Sequence, residues 1–212
     1  MKPIGPIPPG WEALDGVLSV DGAKLTDVAA DAGETPLFVY SRALLTRKFE
    51  DLRAAMPGRL AIHYAMKANP FGPLLQHMNG LVDGFDIASG GELELALAAR
   101  VDPARISFAG PGKRDRELEA AIRHGVTLNC ESEGEADRAL AIADRLGKPL
   151  RIAIRVNPSF DLKGSGMKMG GGAKQFGIDE GRVPDLVRRL IEAGADWRGF
   201  HIYAGSQALK AE

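Results

Sequence analysis

Ala61-Ile62-His63-Tyr64-Ala65-Met66-Lys67-Ala68-Asn69-Pro70 is a short apolar run that delivers one amine to its end and is then closed by a proline. Proline has no backbone N–H to give a sheet ladder, so the run reads as a β-strand with Lys67 at its C-terminal end. An unpaired ammonium is costly to bury, and burial favours the neutral amine, which is the form that attacks carbonyl carbon. Lys67 is therefore a candidate for a Schiff base with an aldehyde cofactor or a carbonyl substrate. The plainer reading of strand and lysine alone is a head group that reaches out to water, so the surrounding segments must decide.

Outward from this strand, short apolar runs alternate with amphipathic stretches from residue 37 onward, the pattern of a parallel α/β architecture. Strands are expected near 60–66, 82–88, 105–110, 126–130, 150–157 and 198–205. The helical period shows in Leu45, Phe49, Leu52 and Met56, and again in Val183, Leu186, Val187, Leu190 and Ile191. Ser89-Gly90-Gly91-Glu92 and Ser132-Glu133-Gly134-Glu135 read as capping boxes, and Gly125, Gly147 and Gly194 stand where C-cap glycines belong. The near-regular strand spacing favours repeated βα units over an open sheet with a reversal of strand order. The expected fold is α/β, a TIM-like (β/α) barrel that is incomplete at about six of the eight strands such barrels need. Residues 11–36, with Val17-Leu18-Ser19-Val20-Asp21-Gly22-Ala23-Lys24-Leu25, read as a hairpin-like segment, so that 1–36 lie outside a partial barrel over 37–212.

Bulk properties narrow the function. At 45% hydrophobic and 26% charged, the 212 residues describe an ordinary globular chain rather than a disordered one. A net charge of -1 offers no footprint for nucleic acid or an acidic membrane surface. The proline-rich start is too poor in apolar residues for a signal-peptide core, and no run is long enough to span a bilayer, so a cytoplasmic protein is expected. Cys130 is the only cysteine, which fits a reducing compartment.

In barrels of this kind the active site lies at the C-terminal ends of the strands, and polar residues collect there. Lys67 ends the first strand, Asp86 and Ser89 the second, Glu131 follows the fourth, Arg155 and Asn157 end the fifth, and His201, Tyr203 and Ser206 lie on or after the sixth. Each alone has a routine explanation; their convergence on one barrel mouth does not. The four histidines have no mutual spacing that suggests a metal site, and none is expected.

Three segments carry a resemblance: Tyr64-Ala65-Met66-Lys67-Ala68-Asn69-Pro70, Asp86-Ile87-Ala88-Ser89-Gly90-Gly91-Glu92-Leu93 and Gly199-Phe200-His201-Ile202-Tyr203-Ala204-Gly205-Ser206-Gln207. From about residue 14 onward the chain resembles the pyridoxal-phosphate-dependent amino-acid decarboxylases of the alanine-racemase-like barrel fold, the diaminopimelate and ornithine decarboxylase group. Lys163-Gly164-Ser165-Gly166-Met167-Lys168-Met169-Gly170-Gly171-Gly172-Ala173-Lys174-Gln175-Phe176-Gly177 looks most like the exosortase-associated subgroup. That subgroup is similar to the decarboxylase of carrier-linked glutamate in butirosin biosynthesis.

The resemblance implies that Lys67 forms the Schiff base with pyridoxal phosphate (PLP), that Asp86 and Arg155 lie beside the cofactor, and that Ser206 with the Gly205 backbone holds its phosphate. It implies that residues 1–36 belong to a second, β-rich domain, and that a glycine-rich phosphate loop and an acid at the ring nitrogen lie beyond residue 212. The implied partners are an amino acid or a carrier-linked aminoacyl substrate and, at full length, a second copy in a homodimer. In most relatives a histidine stacks on the ring three residues before the serine; here that place holds Tyr203, with His201 two residues earlier, so substrate and electronic tuning are expected to differ.

An alanine-racemase-like isomerase or a non-catalytic PLP-binding fragment are the alternatives. Cys130-Glu131-Ser132 imitates the decarboxylase Cys-Glu-Ser signature in the wrong half of the chain, and Cys130 is expected to be a small buried apolar residue. The glycine-rich stretch over 158–178 fails the Walker spacing, because Ala173 precedes Lys174 and Gln175 follows it, and is expected to be a substrate-side or lid loop.

Overall fold

The computed structural model describes residues 6–160 and 175–206, with the backbone alone for 167–168. Contacts divide the chain into two compact units, Met1–Leu60 and Ala61–Glu212.

In the first unit, β1 (Trp11–Leu14), β2 (Val17–Val20) and β3 (Ala23–Lys24) form an antiparallel sheet in sequence order. Its two turns are Asp15-Gly16 and Asp21-Gly22, all four residues at positive φ. That conformation matches the right-handed twist of the flanking strands, which is why Asp-Gly makes a tight hairpin. Helices α1 (Leu25–Ala32) and α2 (Arg42–Ala55) follow, and the Ser41 hydroxyl caps α2 by accepting from Leu44 N.

The second unit alternates strand and helix: β4 (His63–Ala65), α3 (Gly72–Asn79), β5 (Gly84–Ile87), α4 (Gly90–Ala98), β6 (Ile106–Phe108), α5 (Asp115–His124), β7 (Thr127–Cys130), α6 (Glu133–Leu146) and β8 (Arg151–Asn157). After β9 (Met167–Lys168) come β10 (Ile178–Asp179), α7 (Val183–Glu192), β11 (Asp196–Ile202) and β12 (Gly205–Ser206). Strands β4 to β8 pair in parallel with their sequence neighbours, and β11 pairs in parallel with β8. These six strands, each followed or preceded by a helix, are the expected incomplete (β/α) barrel. The short β10 also pairs with β8, while β12 pairs antiparallel with β9. The remainder of the glycine-rich stretch, for which a lid was expected, lies outside the described residues.

Strand register explains where the core and the polar groups go. Side chains alternate between faces, and paired residues share a face. Phe85 and Ile87, Ile106 and Phe108, Leu128 and Cys130, and Ile152 and Ile154 are side by side and fully or almost fully buried. The opposite parity carries Asp86 beside Ser107, and Arg155 beside His201. Both faces are filled, as a parallel sheet requires, but one with hydrocarbon and one with a set of ionisable groups. Gly84 permits the first pairings to close, since a Cβ there would lie 2.5 Å from the His63 ring and 2.6 Å from Arg105 O.

The helix signals hold in part. Gly125, Gly147 and Gly194 are at positive φ just past α5, α6 and α7. Ser89 and Ser132 accept from Glu92 N and Glu135 N as N-caps should. The expected reciprocal half fails: Glu92 accepts from Ala88 N, and Glu135 turns inward to Lys113. The reciprocal arrangement falls instead at Arg114 and Glu117, where Glu117 Oε2 accepts from Arg114 N at 3.0 Å and Oε1 from Gly90 N at 2.8 Å. One carboxylate thereby satisfies the first turns of α4 and α5, and these two N–H groups hold it below the usual carboxylate range.

Candidate active site

The strand carrying Lys67 is shorter than its apolar run suggested. It ends at Ala65, and Met66–Ala68 form one 3₁₀ turn. Met66 is wholly buried and anchors this turn, Asn69 N closes it onto Met66 O at 3.1 Å, and the Tyr64 hydroxyl donates to Asn69 O at 3.0 Å. Lys67 itself is exposed. The expectation of a desolvated strand-end amine is therefore corrected: the apolar run buries Met66, and the lysine next to it turns outward.

Lys67 nonetheless lines a cavity of about 490 Å³ together with Asp86, Arg155, His201 and Tyr203. This size lies within the range of small-molecule sites. Five of the nine strand-end residues expected from the sequence thus meet around one space. Ser206 is half-buried in β12, three positions past Tyr203, and is not among the residues lining that space. Asp86 is fixed by its neighbour in register, since the Ser107 hydroxyl donates to Oδ1 at 2.9 Å. The Tyr203 ring is within reach of two cations, with Lys67 Nζ and Arg155 Cζ each 5.7 Å from its centroid. An aromatic face attracts both through its quadrupole.

Arg155 is the most constrained group. Phe176 covers it at 4.8 Å, and Nη1 donates to Glu131 Oε1 at 3.2 Å. Phe176 is placed by the next residue: Gly177 has φ +75°, and a Cβ there would lie 3.1 Å from both Arg155 O and Asn157 N. Glycine lets this segment lie directly against β8. His201 is half-buried, and its buried Nδ1 has no hydrogen-bond partner among the described residues. Burial and the Arg155 guanidinium hold the imidazole below the ordinary histidine range, with Asp86 and Glu131 pulling the other way. A neutral imidazole with one unsatisfied buried nitrogen is suited to a hydrogen bond with a bound molecule.

Behind this wall lies a polar cluster that the sequence reading did not find. Lys113 is 4% exposed, and its Nζ donates to Gly110 O at 2.7 Å, Asn129 O at 2.8 Å and Glu135 Oε1 at 2.8 Å. Burial pushes the Glu135 carboxyl upward against the pull of Lys113. Cys130 is wholly buried beside it, as expected of an apolar cysteine, and burial pushes its thiol up as well. Phe108-Ala109-Gly110-Pro111-Gly112-Lys113 held the missed signal: it too is a strand end followed by an amine, the pattern that singled out Lys67.

An aldehyde-bearing aromatic cofactor fits these groups: an accessible amine, an aromatic face, a fixed carboxylate and a fixed guanidinium around one cavity. A parallel βα barrel with a lysine at its strand ends defines the class. Residues 42–212 match the family described as Pyridoxal-dependent decarboxylase, pyridoxal binding domain, and the chain belongs to that family. It is similar to a diaminopimelate decarboxylase of Aquifex aeolicus, 42% identical over 95% of this chain and 48% of that protein. It is also similar to the L-glutamyl-[BtrI acyl-carrier protein] decarboxylase of Niallia circulans, 32% identical over 92% of this chain and 46% of that one. Among solved structures, the diaminopimelate decarboxylase of Helicobacter pylori complexed with L-lysine aligns with TM-score 0.79 and 31% identity, over 88% of this chain and 48% of that chain. The chain spans about half the length of the relatives it matches.

Proposed function

We propose that the chain is the cofactor-binding portion of a PLP-dependent carboxy-lyase acting on an amino acid or a carrier-linked aminoacyl group. The observation that carries this reading is the meeting of Lys67, Asp86, Arg155, His201 and Tyr203 around one cavity, in a chain of the pyridoxal-dependent decarboxylase family.

Lys67 is the amine that holds the cofactor aldehyde. Its exposure leaves it accessible to carbonyl carbon, and the Tyr203 face keeps its head group at the cavity. Tyr203 offers the flat surface against which an aromatic ring packs. Asp86, held by Ser107, supplies a fixed negative charge, and Arg155, held by Glu131, a fixed positive one. His201 contributes a neutral nitrogen rather than a charge. Ser206 and the Gly205 N–H are donors suited to a phosphate. When bound, PLP supplies an electron sink for the pair left behind as carbon dioxide departs. We assign 1–36 to a second β-rich domain and 37–212 to the barrel. We read the full enzyme as a cytoplasmic homodimer; the single cysteine supports the compartment and the family resemblance supports the dimer.

Borohydride reduction in the presence of PLP, followed by peptide mapping, tests the reading. The label is expected on Lys67, and the imine absorbance is expected to vanish in Lys67→Ala. A normal imine band in a folded Lys67→Ala protein would overturn it. Release of carbon dioxide, with no change of configuration at recovered substrate, separates a decarboxylase from an isomerase.

A further inference from the structure

We propose that Lys113 is a positioning residue for Arg155, acting through the Gly110 turn and Glu131. The inference rests on the cavity being the cofactor and substrate site, and adds a group outside that cavity which sets its shape.

The contacts form one continuous chain. The Lys113 ammonium binds the carbonyl of Gly110, and the N–H of the same glycine donates to Glu131 Oε1. Gly110 is thus held on both sides of its backbone, and its φ of +106° is a conformation that few other residues adopt. Glu131 Oε1 and Oε2 then lie 3.2 and 3.4 Å from Arg155 Nη1. Arg155 reaches the cavity between Phe176 and Tyr203.

Lys113 has little freedom to do anything else. Its three donors are matched by three acceptors, Gly110 O, Asn129 O and Glu135 Oε1, and the Phe108 ring lies 5.4 Å from its nitrogen. A buried ion pair is weak evidence for stability, because apolar residues of similar volume often serve as well. What an apolar pair cannot supply is a donor for the Gly110 carbonyl. Without that donor the turn is free to rotate its N–H away from Glu131, and Glu131 loses the contact that aims it at Arg155.

The experiment replaces the pair by hydrocarbon, Lys113→Met with Glu135→Leu, which leaves net charge unchanged. The amide NMR spectrum reports whether the protein folds, and the Arg155 guanidinium signals report whether it is held. In the native protein restricted rotation is expected to give resolved Nη signals for Arg155. In the folded double variant, and in Glu131→Gln, these are expected to collapse to an averaged signal. Averaging in Glu131→Gln with a native Arg155 pattern in the double variant would overturn the proposal, as would an averaged signal in the native protein. Should that apolar pair fail to fold, Lys113→Leu with Glu135→Met, which likewise supplies no donor to the Gly110 carbonyl, is the second variant, with the same two outcomes. The readout needs no cofactor, so a failure of PLP to bind would overturn the functional reading and leave this one standing.

Discussion

Glu131 and Arg155 form an ion pair in the interior of the sheet, the carboxylate side chain wholly buried and the guanidinium side chain 9% exposed. The two come from adjacent strand ends, and neither charge could be buried there alone. Glu131 also takes the Gly110 N–H, so one carboxylate joins the ends of β6, β7 and β8.

Glu131→Gln keeps the shape of that junction and removes its charge, leaving Arg155 without a buried counter-ion. Breaking a buried pair by removing one partner costs about 3–5 kcal/mol, and the amide's remaining hydrogen bonds should hold the loss to the lower end. A drop in the urea midpoint with unchanged denaturant slope is the expected result. No change in midpoint would mean that the pair is solvated.

His201 gives the pH dependence. Its folded-state pKa is depressed by burial and by Arg155, so the unfolded chain takes up this proton first as pH falls. The stabilisation is fully present above the unfolded value of about 6.5 and is lost as pH falls through the folded value. Unfolding measured from pH 8 to pH 5 should show a constant contribution down to about pH 6.5 and declining stability below it, and His201→Gln should flatten that decline. An imidazole that titrates by NMR at or above the ordinary histidine value would contradict the burial of Nδ1.

The architecture was legible because a parallel sheet writes itself into alternating apolar runs and amphipathic helices. The glycines past α5, α6 and α7 were legible for the same reason, since only a left-handed cap requires them. The site residues were legible at the level of strand ends, where position alone brings Lys67, Asp86, Arg155 and His201 together. What failed was inference about single side chains. The apolar run around Lys67 implies a desolvated amine, yet Met66 takes the buried place. The Ser132-to-Glu135 spacing implies a capping box, yet the Glu135 carboxylate goes to Lys113, which comes from another βα unit. Register and long-range ion pairing are not periodic in sequence, so neither could be read there.

Gly177 is a point where backbone geometry sets the site. A methyl group there would meet β8 at 3.1 Å, and φ +75° is strained for any residue with a Cβ. Gly177→Ala should cost on the order of 1–2 kcal/mol and lift Phe176 from Arg155. Thermal unfolding checks the first effect, and a crystal structure of the variant the second. A native Phe176 position in Gly177→Ala would show that the segment tolerates the methyl by moving elsewhere.

The carboxylate of Glu117 bridges the starts of two helices, which makes its removal cost more than an ordinary cap. Glu117→Ala leaves both Gly90 N and Arg114 N without their acceptor. Each cap of this kind contributes about 0.5–2 kcal/mol, and solvent at the helix ends replaces part of it, so a total loss near 1–2 kcal/mol is expected. Hydrogen exchange should quicken at the first turns of both α4 and α5; acceleration confined to α5 would show that the Gly90 contact contributes nothing.

Tyr203 separates the role of an aromatic face from that of a hydroxyl group. Its ring centroid is 5.7 Å from both Lys67 Nζ and Arg155 Cζ, and among the described residues no hydrogen bond of its hydroxyl enters that arrangement. Tyr203→Phe should therefore bind PLP within about threefold of the native protein, since a phenyl ring keeps the face that attracts both cations. Tyr203→Ala removes the face altogether, and the loss of stacking and cation–π contacts should weaken binding by about tenfold or more, which corresponds to ~1.4 kcal/mol. Titration of the imine absorbance measures both. Equal weakening in the two variants would assign the contribution to the hydroxyl, and the ring would then be a wall of the cavity rather than the surface on which the cofactor lies.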